Sequence, residues 1–342
     1  MATFGVGLVG RFSPAGLREI VEACESLGYR EAWYADEKFY RDVYVGLTQI
    51  ALHSEKLLLG PFLTDPYSRH PALTAVAMAS LDEVSGGRTI LGLGAGGSGF
   101  AEMGVERRRP AVALRECVEI LRRLWSGEKV TYRGEILGVS ACSLFFSPGR
   151  QIPIYIGARG PLNLTVAGEV ADGVFLSGLS VPKGVLPAVE RVREGARKSG
   201  RTLEDLHVYL EADVCVAEDP QAARETVKPM VALALWNSFP DFRFLEPTGV
   251  AVPEDLRALL ARRDYGLIPE ASRRVPDALV DVLAVAGAPA EVAARFADLE
   301  RELGVRRFLV NLVPAPGVSM VRTLEGFARA VMGRAGGEKP PR

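Results

Sequence analysis

The chain has 342 residues, of which 48% are hydrophobic and 24% are charged, and its formal net charge is -1. This balance is typical of a soluble globular protein and excludes a strong electrostatic field that would attract nucleic acid or an anionic membrane. We expect neither a membrane-spanning helix nor a signal peptide, because no apolar run is long enough and the N-terminal run lacks a preceding basic segment.

Apolar segments alternate between strand-like and helix-like spacing along most of the chain, with short connections. Such alternation predicts parallel strands joined by right-handed helical crossovers, and eight strands predict a (β/α)₈ TIM barrel. The predicted strands are residues 4–9, 31–35, 57–63, 89–93, 154–156, 173–176, 207–216 and 307–312. The predicted helices between them are residues 14–27, 45–53, 71–84, 110–125, 162–171 and 186–199.

Two segments exceed what a minimal barrel needs. Residues 130–151 contain short β-like pieces, and residues 230–276 form a long, aromatic-rich insertion that we interpret as a lid over the site. We therefore expect a single barrel domain over residues 1–330 and a disordered tail over residues 331–342.

The four cysteines are widely separated and include no C-x-x-C pair. Their spacing indicates neither a zinc site nor a disulfide framework, which fits a reducing cytoplasm. The three histidines are also dispersed, so we expect no bound metal.

A glycine-rich loop follows the fourth strand, in the sequence GGRTILGLGAGGSGF. Gly92, Gly94 and Gly97 match the dinucleotide fingerprint G-x-G-x-x-G, but a charged segment ending at Pro110 separates them from the next long helix. We therefore favour a loop at the mouth of a barrel over a Rossmann site, because bare backbone here would allow a ligand to approach closely.

Polar residues follow the ends of the second and third strands, where a barrel carries its site. Asp36 and Glu37 leave the second strand together, and either could be a surface loop acid or a site acid. The third strand runs into a polar loop with three prolines that includes Asp65.

A second candidate region follows the fifth and sixth strands. The segment Gly157, Ala158, Arg159 and Gly160 precedes a helix, so its amides and guanidinium could hold an anion. Ser177 and Gly178 could add a hydroxyl and another amide to the same anion.

Together these segments resemble the luciferase-like flavin and deazaflavin oxidoreductases, and most closely the branch of coenzyme F420-dependent methylenetetrahydromethanopterin reductases. The resemblance rests on LGYREAWYADEKFYRDVYV, LGPFLTDPYSRHPALTA, LDEVSGGRTILGLGAGGSGF and IPIYIGARGPLNLTVAGEVADGVFLSG. It implies an open-mouthed barrel that binds its cofactor at the carboxyl ends of the strands.

The resemblance also implies roles for individual residues. Asp36 falls at a cofactor-contacting position, and Phe62–Leu63 at a cis peptide that bulges against the cofactor ring. Gly94, Ala95 and Gly96 would pass along the cofactor, the segment 157–160 would hold its phosphate, and Asp65 would join these contacts. The chain departs from the reductase pattern at Gly7, Glu37 and Gly97, where that branch tends to carry glutamate, histidine and an acid.

We therefore expect an enzyme that moves a hydride between coenzyme F420 or a flavin and a small organic substrate, possibly methylenetetrahydromethanopterin-like. Asp36 or Glu37 is the expected proton donor, with Asp65 and Glu211 next. The alternatives are an FMN-dependent monooxygenase and a non-catalytic cofactor-binding barrel. We expect no nucleic-acid or membrane partner, and association into a homo-oligomer.

Overall fold

A computed structural model of the protein describes residues 2–97 and 99–333. Its strands, numbered in chain order, are β1 (Thr3–Leu8), β2 (Glu31–Tyr34), β3 (Leu58–Pro61), β4 (Leu91–Leu93), β5 (Val130–Arg133), β6 (Gly138–Cys142), β7 (Ile154–Ala158), β8 (Gly173–Leu176), β9 (His207–Val216), β10 (Ala284–Gly287) and β11 (Arg307–Leu312). Its helices are α1 (Pro14–Leu27), α2 (Val43–Leu52), α3 (Pro71–Ser85), α4 (Phe100–Met103), α5 (Pro110–Trp125), α6 (Pro161–Val170), α7 (Pro182–Lys198), α8 (Pro220–Ser238), α9 (Glu254–Ala261), α10 (Ile268–Ser272), α11 (Asp277–Leu283), α12 (Pro289–Leu303) and α13 (Met320–Val331).

Eight parallel strands form a barrel, in the order β3-β2-β1-β11-β9-β8-β7-β4. Single parallel bridges from Leu59 to Thr89 and from Thr64 to Leu93 join the two end strands. The predicted (β/α)₈ architecture is confirmed, and the predicted barrel strands differ from the observed ones only at their ends.

Helix ends follow local capping rules. Helix α1 begins after Ser13, whose hydroxyl accepts a hydrogen bond from the amide of Gly16, and it ends at Gly28, which has a φ of 82°. Glycine adopts this left-handed conformation without a Cβ clash. Ser13 and Gly28 therefore cap the helix at the two ends that the sequence predicted.

Alternation along the strands separates two packed regions. On β9, Leu210, Ala212 and Val214 pack outward in the core between the strands and the helices. Tyr209 points inward and belongs to a second, smaller cluster that fills the barrel interior together with Trp33 and Phe175. The rings of Phe62 and Phe175 lie 5.0 Å apart, so this cluster forms an aromatic floor below the strand ends.

Strand β10 was not predicted from the sequence. It pairs with residues 213–216 of β9, while β11 takes the other edge of β9 at Asp213 and Val214. Strand β10 therefore lies on the edge that β8 leaves free beyond Leu210. Four small residues that directly follow a helix give no alternating pattern, which is why this strand was missed.

The two long insertions take defined forms. Residues 130–151, for which the sequence predicted short β-like pieces, contain the antiparallel hairpin of β5 and β6. Residues 230–276 comprise the end of α8, two short 3-10 helices, α9 and α10. None of the helices in the described residues is long and apolar enough to cross a membrane. Of the predicted tail, residues 334–342 lie outside the described residues.

Candidate active site

A cavity of about 750 Å³ opens at the carboxyl ends of the barrel strands. It falls within the range of small-molecule and cofactor sites. Nearly all the residues singled out from the sequence line it: Asp36, Glu37, Phe62, Leu63, Asp65, Gly94, Ala95, Gly96, Gly157, Ala158, Arg159, Ser177 and Gly178. The structure thus brings together segments that are more than 100 residues apart in the chain.

The end of β3 forms a bulge into this cavity. The peptide between Phe62 and Leu63 is cis, as the resemblance implied. A Cβ placed on Gly157 would lie 2.2 Å from Leu63 Cδ1, and one on Gly94 would lie 3.0 Å from Leu63 Cβ. Gly157 therefore makes room for the leucine bulge.

The acids after β2 and β3 share one cation. Lys38 Nζ lies 3.2 Å from Asp36 Oδ1 and 3.2 Å from Asp65 Oδ2, and its side chain is only 12% exposed. Asp65 also accepts hydrogen bonds from the amides of Tyr67 and Ser68. Asp65 is therefore fully engaged in holding the β3 loop, and Asp36 is held as an ion-paired carboxylate.

The guanidinium of Arg159 lies across the boundary between the main cavity and a neighbouring cavity of about 480 Å³. It donates to the carbonyl oxygens of Ser177 (3.3 Å) and Ala234 (3.2 Å) and to the hydroxyl of Ser238. No carboxylate among the described residues forms a salt bridge with it. Arg159 therefore holds α8 over the barrel and places a positive charge at the cavity wall.

The neighbouring cavity extends past the start of α6. Gly160 caps this helix without a side chain, and a Cβ on Gly160 would meet nothing within 4 Å. Arg107 and Arg159 line both cavities, and Arg191 lines the smaller one. Open backbone at a helix N-terminus beside several arginines can hold an anionic group.

A second group of acids faces the main cavity from β9. Asn311 Nδ2 donates to Glu211 Oε1 at 2.9 Å and to Asp213 Oδ1 at 3.1 Å. Burial and, after it, the charge of Glu211 raise the pKa of Asp213, the hydrogen bond from Asn311 and the charge of Arg159 lower it, and the net result is a pKa of about 7. Sequence reasoning ranked Glu211 low and missed Asp213 and Asn311.

Gly7 explains how Asn311 fits between these strands. A Cβ on Gly7 would lie 2.0 Å from Asn311 Oδ1, so the side chain of Asn311 occupies the space that any larger residue at position 7 would need. Gly7, Glu37 and Gly97, where the chain departs from the reductase pattern, all line the cavity. The departures therefore change the polar lining of the site itself.

Comparison with known proteins agrees with this geometry. A family described as luciferase-like monooxygenase matches residues 2–307. The 5,10-methylenetetrahydromethanopterin reductase of Archaeoglobus fulgidus is 35% identical over 305 residues, covering 87% of this chain and 90% of the relative. The same-named reductase of Methanolobus tindarius is 33% identical and covers 90% of this chain and 94% of the relative.

A solved structure gives the same picture of the fold. The coenzyme F420-dependent tetrahydromethanopterin reductase from Methanopyrus kandleri superposes with a TM-score of 0.85 at 29% identity. The match covers 97% of this chain and 99% of that structure. These comparisons confirm the resemblance inferred from the sequence segments.

Proposed function

Because this chain belongs to the family of luciferase-like monooxygenases, we propose that it is an oxidoreductase that transfers a hydride between coenzyme F420 and a small organic substrate. The proposal is supported by relatives named as F420-dependent or methylenetetrahydromethanopterin reductases that match nearly the whole chain. The two relatives named as methylenetetrahydromethanopterin reductases support a one-carbon-carrying reduced pterin as the substrate class.

The observation that carries this proposal is the leucine bulge inside the cavity. Leu63 rises between Gly94 and Gly157 above the aromatic floor, so it offers an apolar surface to one face of a flat ring. The opposite side of the cavity is polar, because Glu211, Asp213 and Asn311 line it. A three-ring cofactor can rest on the first surface while its substrate meets the second.

The second cavity supports F420 over FMN. FMN ends at its phosphate, whereas F420 continues into an anionic tail. Gly160 and Arg159 would hold the phosphate, and the arginine-lined cavity beyond them leaves room for a further anionic segment. An enzyme that used only FMN would have no need of this extension.

When bound, F420 supplies two-electron hydride chemistry, and the protein supplies orientation and charge. We propose that Leu63 fixes the height of the ring and that Asp36, paired with Lys38, contacts the cofactor. Glu37 remains a candidate for contact with the substrate. Residues 230–276 would exclude water as a lid, since Trp236, Phe239 and Arg263 border the cavity.

Association between copies of the chain and location in a reducing cytoplasm also remain proposals. Large apolar side chains are exposed on the neighbouring helices α2 and α3, at Val45, Leu52, Leu73, Val76 and Val84, and copies could bury them against each other. The four cysteines are free in the structure, as a reducing compartment requires.

Separate titrations of the cofactor-free protein with F420 and with FMN test the proposed function. We expect F420 to bind, and its reduced form to be oxidised when a methylene-bearing tetrahydropterin is added. Leu63→Ala should weaken F420 binding about tenfold, which is about 1.4 kcal/mol. Leu186→Ala, at a half-exposed position on α7, is the matched control.

Three outcomes distinguish the alternatives. Binding of FMN with consumption of oxygen would favour a monooxygenase. Tight binding of F420 without turnover of any substrate tried would favour a cofactor-binding barrel. Binding of neither cofactor would reject the proposal.

A further inference from the structure

Strand β9 carries two acids on the side that faces the barrel interior. Glu211 and Asp213 are two residues apart, so their side chains leave the same face of the strand. Tyr209, two residues earlier, packs in the aromatic floor, and the two acids continue upward from it into the cavity. These carboxyl groups therefore stand side by side above the floor, where a substrate would lie.

One amide bridges the two acids. The Nδ2 group of Asn311 donates one hydrogen bond to each carboxyl, at 2.9 Å and 3.1 Å. Asn311 reaches this position because Gly7, on the next strand, has no side chain. The bridge fixes both carboxyl groups in one orientation without neutralising either.

The charges around the pair include no cation in a salt bridge with either acid. Among the described residues, no lysine or arginine forms a salt bridge with Glu211 or Asp213. The charge of Arg159 acts on both acids, but its guanidinium is hydrogen-bonded to carbonyl and hydroxyl groups instead. Strand β10 contributes only alanine, valine and glycine beside Asp213.

Two adjacent carboxylates with one shared amide and no paired cation do not both ionise readily, because like charges repel in a partly desolvated site. Burial and the charge of Glu211 accordingly raise the pKa of Asp213 to about 7. Asp213 is therefore the acid of the two that carries a proton up to near neutral pH. Asp36 differs in its surroundings, since Lys38 forms a salt bridge with it.

We propose that Glu211 and Asp213 form an acid–carboxylate pair that donates its shared proton to the substrate during hydride transfer. This inference rests on the proposed function. In the reducing direction, a hydride from the reduced cofactor forms a new C–H bond at the substrate carbon. A carbon–nitrogen bond of the substrate breaks and its electrons pass to the nitrogen. The shared proton of the Glu211–Asp213 pair then forms an N–H bond at that nitrogen. The pair is left fully ionised and regains a proton from water, and the one further proton lost on oxidation of the cofactor returns to water, so protons balance overall.

The shared proton can be measured without any cofactor. Infrared spectra of protein carrying isotope-labelled aspartate and glutamate, recorded across neutral pH, report protonated carboxyl groups directly. We expect one such group to titrate with an apparent pKa near 7 in the parent. Asp213→Asn should abolish this titration, and Glu211→Gln should shift it to lower pH because the neighbouring charge is gone.

Single-turnover oxidation of reduced F420 tests the catalytic role. Asp213→Asn should slow turnover on the order of 100-fold while the F420 dissociation constant stays within about twofold of the parent value. Glu211→Gln should move the falling limb of the pH–rate profile to lower pH. Glu218→Gln, an exposed acid just after the same strand, is the matched control and should behave like the parent.

Parent-like turnover of Asp213→Asn at every pH would overturn the catalytic assignment. A parent spectrum with no carboxyl titrating near neutral pH would overturn the shared proton. Failure of the parent to bind F420 would instead reject the proposed function, and with it the catalytic role. The infrared titration would still decide whether the pair holds a proton.

Discussion

Replacing Asp213 with asparagine should stabilise the folded protein, and the gain should depend on pH. Burial, with the charge of Glu211, raises the pKa of Asp213 from its ordinary 3.8 to about 7. The folded state then binds this proton more tightly than the unfolded state, so Asp213 favours folding at low pH and loses that contribution as pH rises from about 4 to 7. Asparagine removes the titration and can still accept the hydrogen bond from Asn311.

The size of the effect follows from the shift in pKa. About 3 pKa units correspond to about 4 kcal/mol, since each unit is worth 1.36 kcal/mol. Asp213 lines an open cavity, and solvent screening there reduces the expected gain to about 2 kcal/mol at pH 8. At pH 4 the gain should fall below about 0.5 kcal/mol, because the carboxyl is protonated in the folded protein.

Urea unfolding of parent and variant at both pH values measures this difference. Glu218→Gln also removes one acid but lies at the surface, so its effect should stay within about 0.5 kcal/mol. A gain of equal size at pH 4 and pH 8 would refute the electrostatic reasoning. Destabilisation at pH 8 would show that the carboxylate is stabilised by groups other than those named.

Four further substitutions test other parts of the site. Gly157→Val should lower the free energy of unfolding and weaken F420 binding at least tenfold, because the valine side chain would collide with Leu63. Gly160→Ala is its control, because a side chain there faces open space and should leave the free energy of unfolding unchanged. It should weaken F420 binding only if the cofactor passes Gly160. Lys38→Met should destabilise the fold by about 3 kcal/mol in urea unfolding, because it leaves two acids without their cation. Glu37→Gln should preserve F420 affinity and lower turnover in a steady-state assay, because Glu37 lines the cavity where the substrate would bind, and parent-like turnover would show that it does not contact the substrate.

The sequence predicted the barrel well because its strands and helices carry opposite periodicities. The helix after Ser13 and the strand 207–216 were predicted to the residue, since capping residues and alternation mark their ends. The strand that pairs with the carboxyl end of β9 was not predicted. Strand β10 has only four small residues, and its place depends on β8 ending at Leu210, which no local pattern indicates.

The candidate site was also predicted only in part. Loop residues were found because glycine, proline and paired acids stand out where a strand ends, as at Asp36 and Gly94. Their partners were not found, since the pairing of Lys38 with two acids requires loops from different strands to meet. The fit of Leu63 against Gly157 likewise joins β3 to β7 across the barrel mouth.

The acids of β9 did leave a signal in the sequence. In HVYLEADVCV, Tyr209, Glu211 and Asp213 occupy alternate positions, while the residues between them are apolar. A strand with both faces buried normally reads as a continuous apolar run, so two acids on one face indicate a polar cavity on that side. The sequence does not show that this face points into the barrel, nor that it lies beside Asn311 and Gly7. Only with that knowledge could these acids have been chosen as site residues. The proton chemistry of this site therefore depends on a contact between strands more than 90 residues apart, which only the closed barrel brings together.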